Sequence, residues 1–269
     1  MARGFAHRAD ARHEGNMTFL LDEGDGPIVA TAIHDGHVLR AEIANMIKLD
    51  DETRRREEDP HTSRLAAVVP TRLVARRSRF EVDLNRPRDR SVYVRPEDAW
   101  GLAVWREPLS EEQIARSLQE YDAFYATLER VLRERELRYG RFVVLDLHSY
   151  NHRRDGADAP SADPATNPEI NIGTGTLDRA RWAKLVDRFC RELAAAAPVP
   201  DVRENVRFQG GYLSRWVHET FRDTGCALAI EVKKTFMDEW TDQVDEARLE
   251  ALVTALASTL PGLTEELFS

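Results

Sequence analysis

Three short apolar runs, each ending on a side chain able to bind a metal or move a proton, constrain this chain most tightly. Ile28–Ile33 stops at His34, Phe142–Leu147 stops at His148, and Ala227–Ile230 stops at Glu231. Runs of this length, rich in aliphatic residues and bounded by turn formers, predict buried strands. Ser110 with Gln113 three residues on forms a capping-box pattern. Ile114, Leu118, Tyr121, Phe124, Tyr125, Leu128 and Leu132 then recur at helical spacing until Gly140. An amphipathic helix delivered straight into an apolar strand predicts a βαβ unit and so an α/β fold, whose sites form outside the carboxyl ends of the strands. His34, His148 and Glu231 are therefore predicted to converge.

The rest of the chain reads in keeping. A helix is expected over Arg40–Lys48, and the charge run Asp50–Asp59 reads as an exposed loop or helix surface. Leu65–Ala75 is partly strand-like, and Ser78–Leu84 alternates like a strand stopped by Asn85-Arg86-Pro87. Asn151–Asn167 predicts a long loop, Pro168–Thr174 a short strand, and Thr176 to about Ala196 a helix. Tyr212–Phe221 and Asp242–Leu260 are further expected helices. No repeat or low-complexity linker divides the sequence, so residues 18–269 are expected to form one catalytic domain behind a polar extension, 1–17.

Of the 269 residues, 42% are hydrophobic and 32% charged, with a formal net charge of −9. That balance predicts a folded soluble chain and opposes a general role on the polyanionic backbone of nucleic acid. No apolar run approaches the length needed to cross a bilayer, and the opening residues lack an apolar leader, so the expectation is a cytoplasmic protein without membrane partners. Cys190 and Cys226 stand outside any CxxC pattern and are expected to be reduced structural thiols. Neither a phosphate-binding loop nor a dinucleotide fingerprint is present.

His34 and His37 flank Asp35-Gly36, a spacing that lets two imidazoles reach one ion. A third imidazole from His148 would complete a three-ligand catalytic zinc site with one position left for water. Glu231, an acid among strand apolars, needs a partner or a cleft and suits a general base acting on an activated water. Arg86 beside Asn85 suits bidentate recognition of a substrate carboxylate. Arg207 and Arg215, flanking Gly210-Gly211, are candidates for a second carboxylate, and the glycines either let main chain approach the ligand or simply make a turn. Asp146 is a candidate for orienting a ligand, His152 reads as a loop residue, and His61 and His218 read as surface residues.

His34-Asp35-Gly36-His37, Asp83-Leu84-Asn85-Arg86, Leu145-Asp146-Leu147-His148-Ser149-Tyr150 and Ile230-Glu231, in this order, resemble the N-formylglutamate amidohydrolase family, related to the zinc carboxypeptidases. Asn171–Thr174 and Asn205–Tyr212 extend the resemblance, which covers about residues 25–240. It implies a three-layer α/β/α sandwich around a mixed, mostly parallel sheet. It also implies a zinc-dependent amidohydrolase acting on a small anionic N-acyl amino acid, with zinc ligands His34 and His148, catalytic Glu231, and carboxylate-binding Asn85 and Arg86. Where zinc carboxypeptidases place Glu three residues after the first His, this chain has His37, with Glu42 as the rival second ligand. Another divalent transition metal in place of zinc, a carboxypeptidase-like hydrolase of other acyl conjugates, and a non-catalytic metal- or ligand-binding protein on the same scaffold stay open.

Overall fold

A computed structural model describes residues 18–196 and 201–269; the expected extension, 1–17, lies outside the described residues. Seven strands form one sheet: β1 (Phe19–Asp22), β2 (Ile28–Ala32), β3 (Thr71–Ala75), β4 (Phe142–Tyr150), β5 (Ile170–Gly173), β6 (Val202–Glu204) and β7 (Gly225–Lys233). Their order is β1-β3-β2-β4-β7-β5-β6. The central strands β3, β2, β4 and β7 are mutually parallel, whereas β1 runs antiparallel to β3 and β5 antiparallel to β7. The sheet is thus mixed and mostly parallel. From β2 the chain steps one way to β3 and later returns to β2's other side with β4, the reversal of strand order at which α/β proteins open a crevice.

Helices cover both faces. All nine residues of β4 are buried, and their alternation sorts two cores. Val143, Leu145 and Leu147 pack with Leu65 of α3 (Thr62–Ala66), Phe189 of α5 (Ala183–Ala194), Leu256 of α7 (Glu246–Ser258) and Leu263 of α8 (Leu260–Leu267). Phe142 and Val144 pack oppositely, with Phe124 and Leu128 of α4 (Glu111–Tyr139) and Val217 of α6 (Tyr212–Thr220). Ser110 caps α4 by accepting from the Gln113 amide at 3.2 Å while Gln113 Oε1 accepts from the Ser110 amide at 2.8 Å; Gly140, at φ 77°, closes the helix.

The short helices α1 (Ala41–Met46) and α2 (Asp51–Glu57) follow β2. The acidic run there is not all exposed: Asp50 caps α2, but Arg54, Glu58 and Asp59 are buried. Ser78–Leu84 is not a strand. Glu81 and Val82 amides both donate back to the Ser78 carbonyl in a turn, and the alternation arises because the segment lies between cores. Phe80 joins Tyr93, Ala99 and Val104 in a third apolar cluster while Val82 and Leu84 join the α4 side. The expected helix after Thr176 begins only at Ala183, and the C-terminal helix divides at Thr259 ahead of Pro261.

Candidate active site

The carboxyl ends of β2, β4 and β7 open on a cavity of about 380 Å³ lined by His34, Asp59, His148 and Glu231, with Asn85, Arg207, Gly210 and Gly211 among the other walls. Parallel pairing of β4 with β7 sets His148 directly opposite Glu231. Same-face alternation along β4 places Asp146 on the side of His148.

One ligand atom each from His34, Asp59 and His148 lies within 4.8 Å of the others. The imidazole centroids are 4.9 Å apart. Asp59 Oδ2 lies 3.3 Å from His34 Nδ1 and 3.0 Å from His148 Nδ1. The opposite nitrogens are held as well, His34 Nε2 at 2.7 Å from Asp83 Oδ1 and His148 Nε2 at 3.2 Å from Asp146 Oδ1. Asp146 is fixed in turn by Thr31 and Ser214 hydroxyls at 2.8 and 3.2 Å. Two imidazoles and a carboxylate, each imidazole turning its other nitrogen to an outer carboxylate, is the donor set of a catalytic divalent-metal site. The residues fit a metal through His34 Nδ1, His148 Nδ1 and Asp59 Oδ2.

The buried charges of this group set one another's protonation. Burial opposes ionisation of Asp59, but hydrogen bonds from His148 and His34 pull its carboxyl far below the usual range. Burial likewise opposes charge on His148, and the Asp146 and Asp59 carboxylates outweigh it, holding the imidazole well above its ordinary value. Glu231 goes the other way. Burial pushes its carboxyl up to about 7, His148 pulls back down, and Asp59 and Asp146 add to the rise. A carboxyl near 7 is poised to take and return a proton at neutral pH.

The second expected histidine is placed elsewhere. His37 Nδ1 meets Glu58 Oε2 at 2.5 Å and Nε2 meets Asp51 Oδ1 at 3.0 Å, against α2 and outside the His-Asp-His group. The physical reason is the turn at Gly36. A side chain there would strike the Arg76 and Arg77 backbone at 2.4 Å, so the chain is pressed against the segment just after β3 and carries His37 past the cavity. Glu42 is also remote, paired with Arg40 at 3.2 Å and Arg116 at 2.8 Å. Asp59 takes the third position, its amide donating to the His34 carbonyl at 2.9 Å.

Two expected substrate arginines lie off the cavity wall. Arg86 Nη2 donates to the Asp98 carbonyl at 2.6 Å, and its guanidinium sits 4.8 Å over the Tyr93 ring. Arg215 is exposed on α6. Asn85 does reach the site, with Nδ2 at 3.5 Å from His148 Nε2 and Oδ1 accepting from the Leu213 amide at 3.1 Å. Gly211 makes this possible, since a Cβ there would overlap the Asn85 side chain at 2.2 Å. Arg207 lies on the wall, its Nη1 donating to Asn167 Oδ1 at 2.6 Å and its guanidinium about equally far from the Tyr150 and Phe208 rings.

The wall also holds residues that sequence reasoning missed: Asp59, Arg79, Trp100, Arg154 and Lys234. Lys234 is 1% exposed and spends its three N–H groups on the Arg56 and Glu58 carbonyls, both at 2.6 Å, and on Asn151 Oδ1 at 2.9 Å, so it pins the end of α2 just before Asp59. The sequence signal for Asp59 was an acid directly before Pro60 at the end of a charged run. Lys234 follows Glu231 by three residues, and nothing in its sequence setting marks it as buried. His218 is not a surface residue: Nε2 accepts from the Ala227 amide at 2.9 Å and Nδ1 lies 3.0 Å from Thr176 Oγ1. Cys190 and Cys226 are both free. Among the described residues no helix is long and apolar enough to cross a membrane.

Known proteins resemble this chain in sequence and in fold. A curated N-formylglutamate deformylase of Pseudomonas aeruginosa is 26% identical over 211 residues, 73% of this chain and 74% of that protein. The crystal structure of an N-formylglutamate amidohydrolase from Ralstonia eutropha superposes with a TM-score of 0.74 at 21% identity, covering 93% of this chain and 98% of that one. A gene product of Agrobacterium tumefaciens superposes with a TM-score of 0.64 at 17% identity, covering 94% and 95%. The sequence model of the family described as N-formylglutamate amidohydrolase matches residues 26–237, a span holding His34, Asp59, His148 and Glu231, and the chain therefore belongs to that family.

Proposed function

We propose that this protein is a metal-dependent amidohydrolase that cleaves the amide of N-formylglutamate or a closely similar small N-acyl amino acid. The observation that carries the reading is the meeting of His34, Asp59 and His148 donors within 4.8 Å, with Glu231 facing His148 across one strand pair. The proposed ligands are His34, Asp59 and His148, and the proposed metal is zinc, for which a two-histidine, one-carboxylate set leaves a position open. When bound, such an ion supplies Lewis acidity toward the acyl carbonyl and lowers the pKa of a water.

The protein's own groups do the rest. Glu231 accepts the proton of the attacking water and returns it to the amide nitrogen as the C–N bond breaks, leaving a carboxylate, formate for a formyl group, and a free amino acid. Asp83 and Asp146 hold each imidazole in the tautomer that presents Nδ1 inward, and Asn85 borders His148 where the substrate would lie. Arg207 is the proposed receiver of the substrate carboxylate. Among the described residues it has no carboxylate within 4.0 Å, whereas Arg79 is engaged with Asp83 at 3.0 Å. Arg154, half exposed and 3.8 Å from Glu57, is the proposed second cation for a dicarboxylate, and Gly210 and Gly211 bring main chain to the same wall.

The test is metal analysis of the purified protein together with formate release from N-formylglutamate before and after chelation. About one zinc per chain and chelator-sensitive release are expected. Full activity in metal-free protein would end the reading, and so would a protein that binds zinc stoichiometrically yet hydrolyses no N-acyl amino acid.

A further inference from the structure

Trp100 is unusual in three independent ways. It is a large aromatic residue left 51% exposed. It lines the same cavity as His148 and Glu231. Its backbone is held left-handed at φ 54°, a conformation that costs a bulky residue and persists only where the surroundings enforce it. The enforcing contacts are local: the Gly101 amide donates to the Pro96 carbonyl at 2.7 Å, the Leu102 amide donates to the Ala99 carbonyl at 2.9 Å, and Ala99 is fully buried beside Tyr93 in the third core. Arg86 adds a brace by donating to the Asp98 carbonyl at 2.6 Å. The loop thus holds the indole half exposed, edge to face with Tyr93 at 6.1 Å between ring centroids, at the rim of the third core.

What the indole faces follows from the order of the sheet. Arg79 lies 4.8 Å beneath the Trp100 ring, Arg79 bonds Asp83 at 3.0 Å, and Asp83 bonds His34 at 2.7 Å, so Trp100 stands on the β2–β3 side of the His-Asp-His group. Arg207 and Gly210 follow β6 at the opposite edge of the sheet, with β7 and Glu231 between. A substrate with its carboxylate at Arg207 and its scissile carbonyl beside His34 and His148 directs its acyl substituent away from Arg207, toward the β2–β3 side where Trp100 lines the cavity. We propose that Trp100 is a specificity-determining residue whose indole bounds the acyl space and restricts it to a formyl-sized group, with Arg86 as a positioning residue for its loop. The inference rests on the hydrolase reading above and names which part of the substrate selects the enzyme.

The experiment compares kcat/KM for N-formylglutamate and N-acetylglutamate in the wild type, Trp100→Phe, Trp100→Ala and Trp100→Gly. One methyl group against an apolar wall is worth roughly 10–200-fold in discrimination. The acetyl-to-formyl ratio should therefore rise about tenfold or more in Trp100→Ala and Trp100→Gly, and less in Trp100→Phe. Glycine tolerates φ 54° without strain, so Trp100→Gly is the variant in which loss of the ring contacts is offset by backbone relief, and its Tm should stay within a few degrees of wild type. A second readout does not depend on turnover. N-formylglutamate should change the tryptophan emission of the wild type, and that change should vanish in Trp100→Phe although four of the five tryptophans remain. A folded Trp100→Gly variant with an unchanged ratio, in a wild type that releases formate, overturns the role of Trp100 alone. A wild type that hydrolyses neither compound overturns the hydrolase reading and this inference with it.

Discussion

The two sides of the cavity are built on opposite plans. On one, His34, Asp59 and His148 are almost fully buried, and both nitrogens of each imidazole face a carboxylate. On the other, Trp100, Arg154 and Arg207 stand on loops, more than a third exposed; Arg154 lies 3.8 Å from Glu57, and among the described residues Arg207 has no carboxylate within 4.0 Å. The first arrangement is over-determined, because removing one partner leaves buried charge or an unpaired imidazole behind, at a cost of several kcal/mol. In the second the Trp100 backbone is fixed by its own loop, but the side chains are lightly held and free to meet something that is not part of the chain. On the proposed function, the difference separates residues that would fix the chemistry from residues that would choose the substrate, and it predicts which substitutions abolish activity and which re-aim it.

The largest expected effect is on the buried side. His148→Ala or Asp59→Asn should remove most metal affinity, seen as loss of stoichiometric zinc, and lower formate release by at least about a thousandfold. His37→Ala is the matched control. It should retain zinc, and loss of the metal on that substitution would restore the three-histidine expectation. Glu231→Gln comes next. The amide keeps the shape but cannot take a proton, so kcat should fall about 10²–10⁴-fold with zinc retained. Near-normal turnover in Glu231→Gln would remove it from the chemistry.

The comparison also explains how much could be read beforehand. His34, His148 and Glu231 were legible because each ends an apolar run, and the parallel pairing of β2, β4 and β7 carries such ends to one edge. Asp59 was not legible. Its carboxylate is buried only because α2 folds back so that its amide reaches the His34 carbonyl, a contact with no periodicity to betray it. His37 misled for a complementary reason: spacing along the chain says nothing about Gly36 being jammed against the Arg76 backbone. Arg86 stood beside Asn85 in sequence, yet the turn after Asp83 sends the amide toward His148 and the guanidinium toward Asp98. The α/β class was carried by helical periodicity in α4 and by the apolar run of β4, whereas three- and four-residue edge strands such as β6 and β1 lack the length to announce themselves.

On the lightly held side the effects should be smaller and should fall on KM. Arg207→Gln is expected to raise KM for N-formylglutamate about tenfold, the scale of one charge-assisted contact, with kcat changed little. Arg86→Gln should leave that KM within about threefold, because its guanidinium braces the Asp98 carbonyl rather than the substrate. The reverse pattern, a large KM effect at Arg86 and none at Arg207, would return the carboxylate to the residue the motif first suggested.

The smallest effect lies away from the cavity and acts on stability. At residues 225–228, β7 extends past its pairing with β5, which ends at Ala229, and His218 of α6 covers the exposed edge by accepting from the Ala227 amide. Because that amide can only donate, Nε2 must stay unprotonated, and burial lowers the pKa of His218 from 6.5 to about 4. The unfolded chain therefore binds a proton at His218 between about pH 6.5 and 4 that the folded chain refuses, so this contribution to stability is complete above pH 6.5 and is lost as the pH falls through the window. With some solvent access at the ring, the loss should be about 1–3 kcal/mol by pH 4. In urea titrations at pH 7 and pH 4.5, His218→Gln should lose less stability on acidification than the wild type does. An equal loss in both proteins would mean that the folded chain binds this proton as readily as the unfolded one, and that the Ala227 contact is not what keeps Nε2 unprotonated.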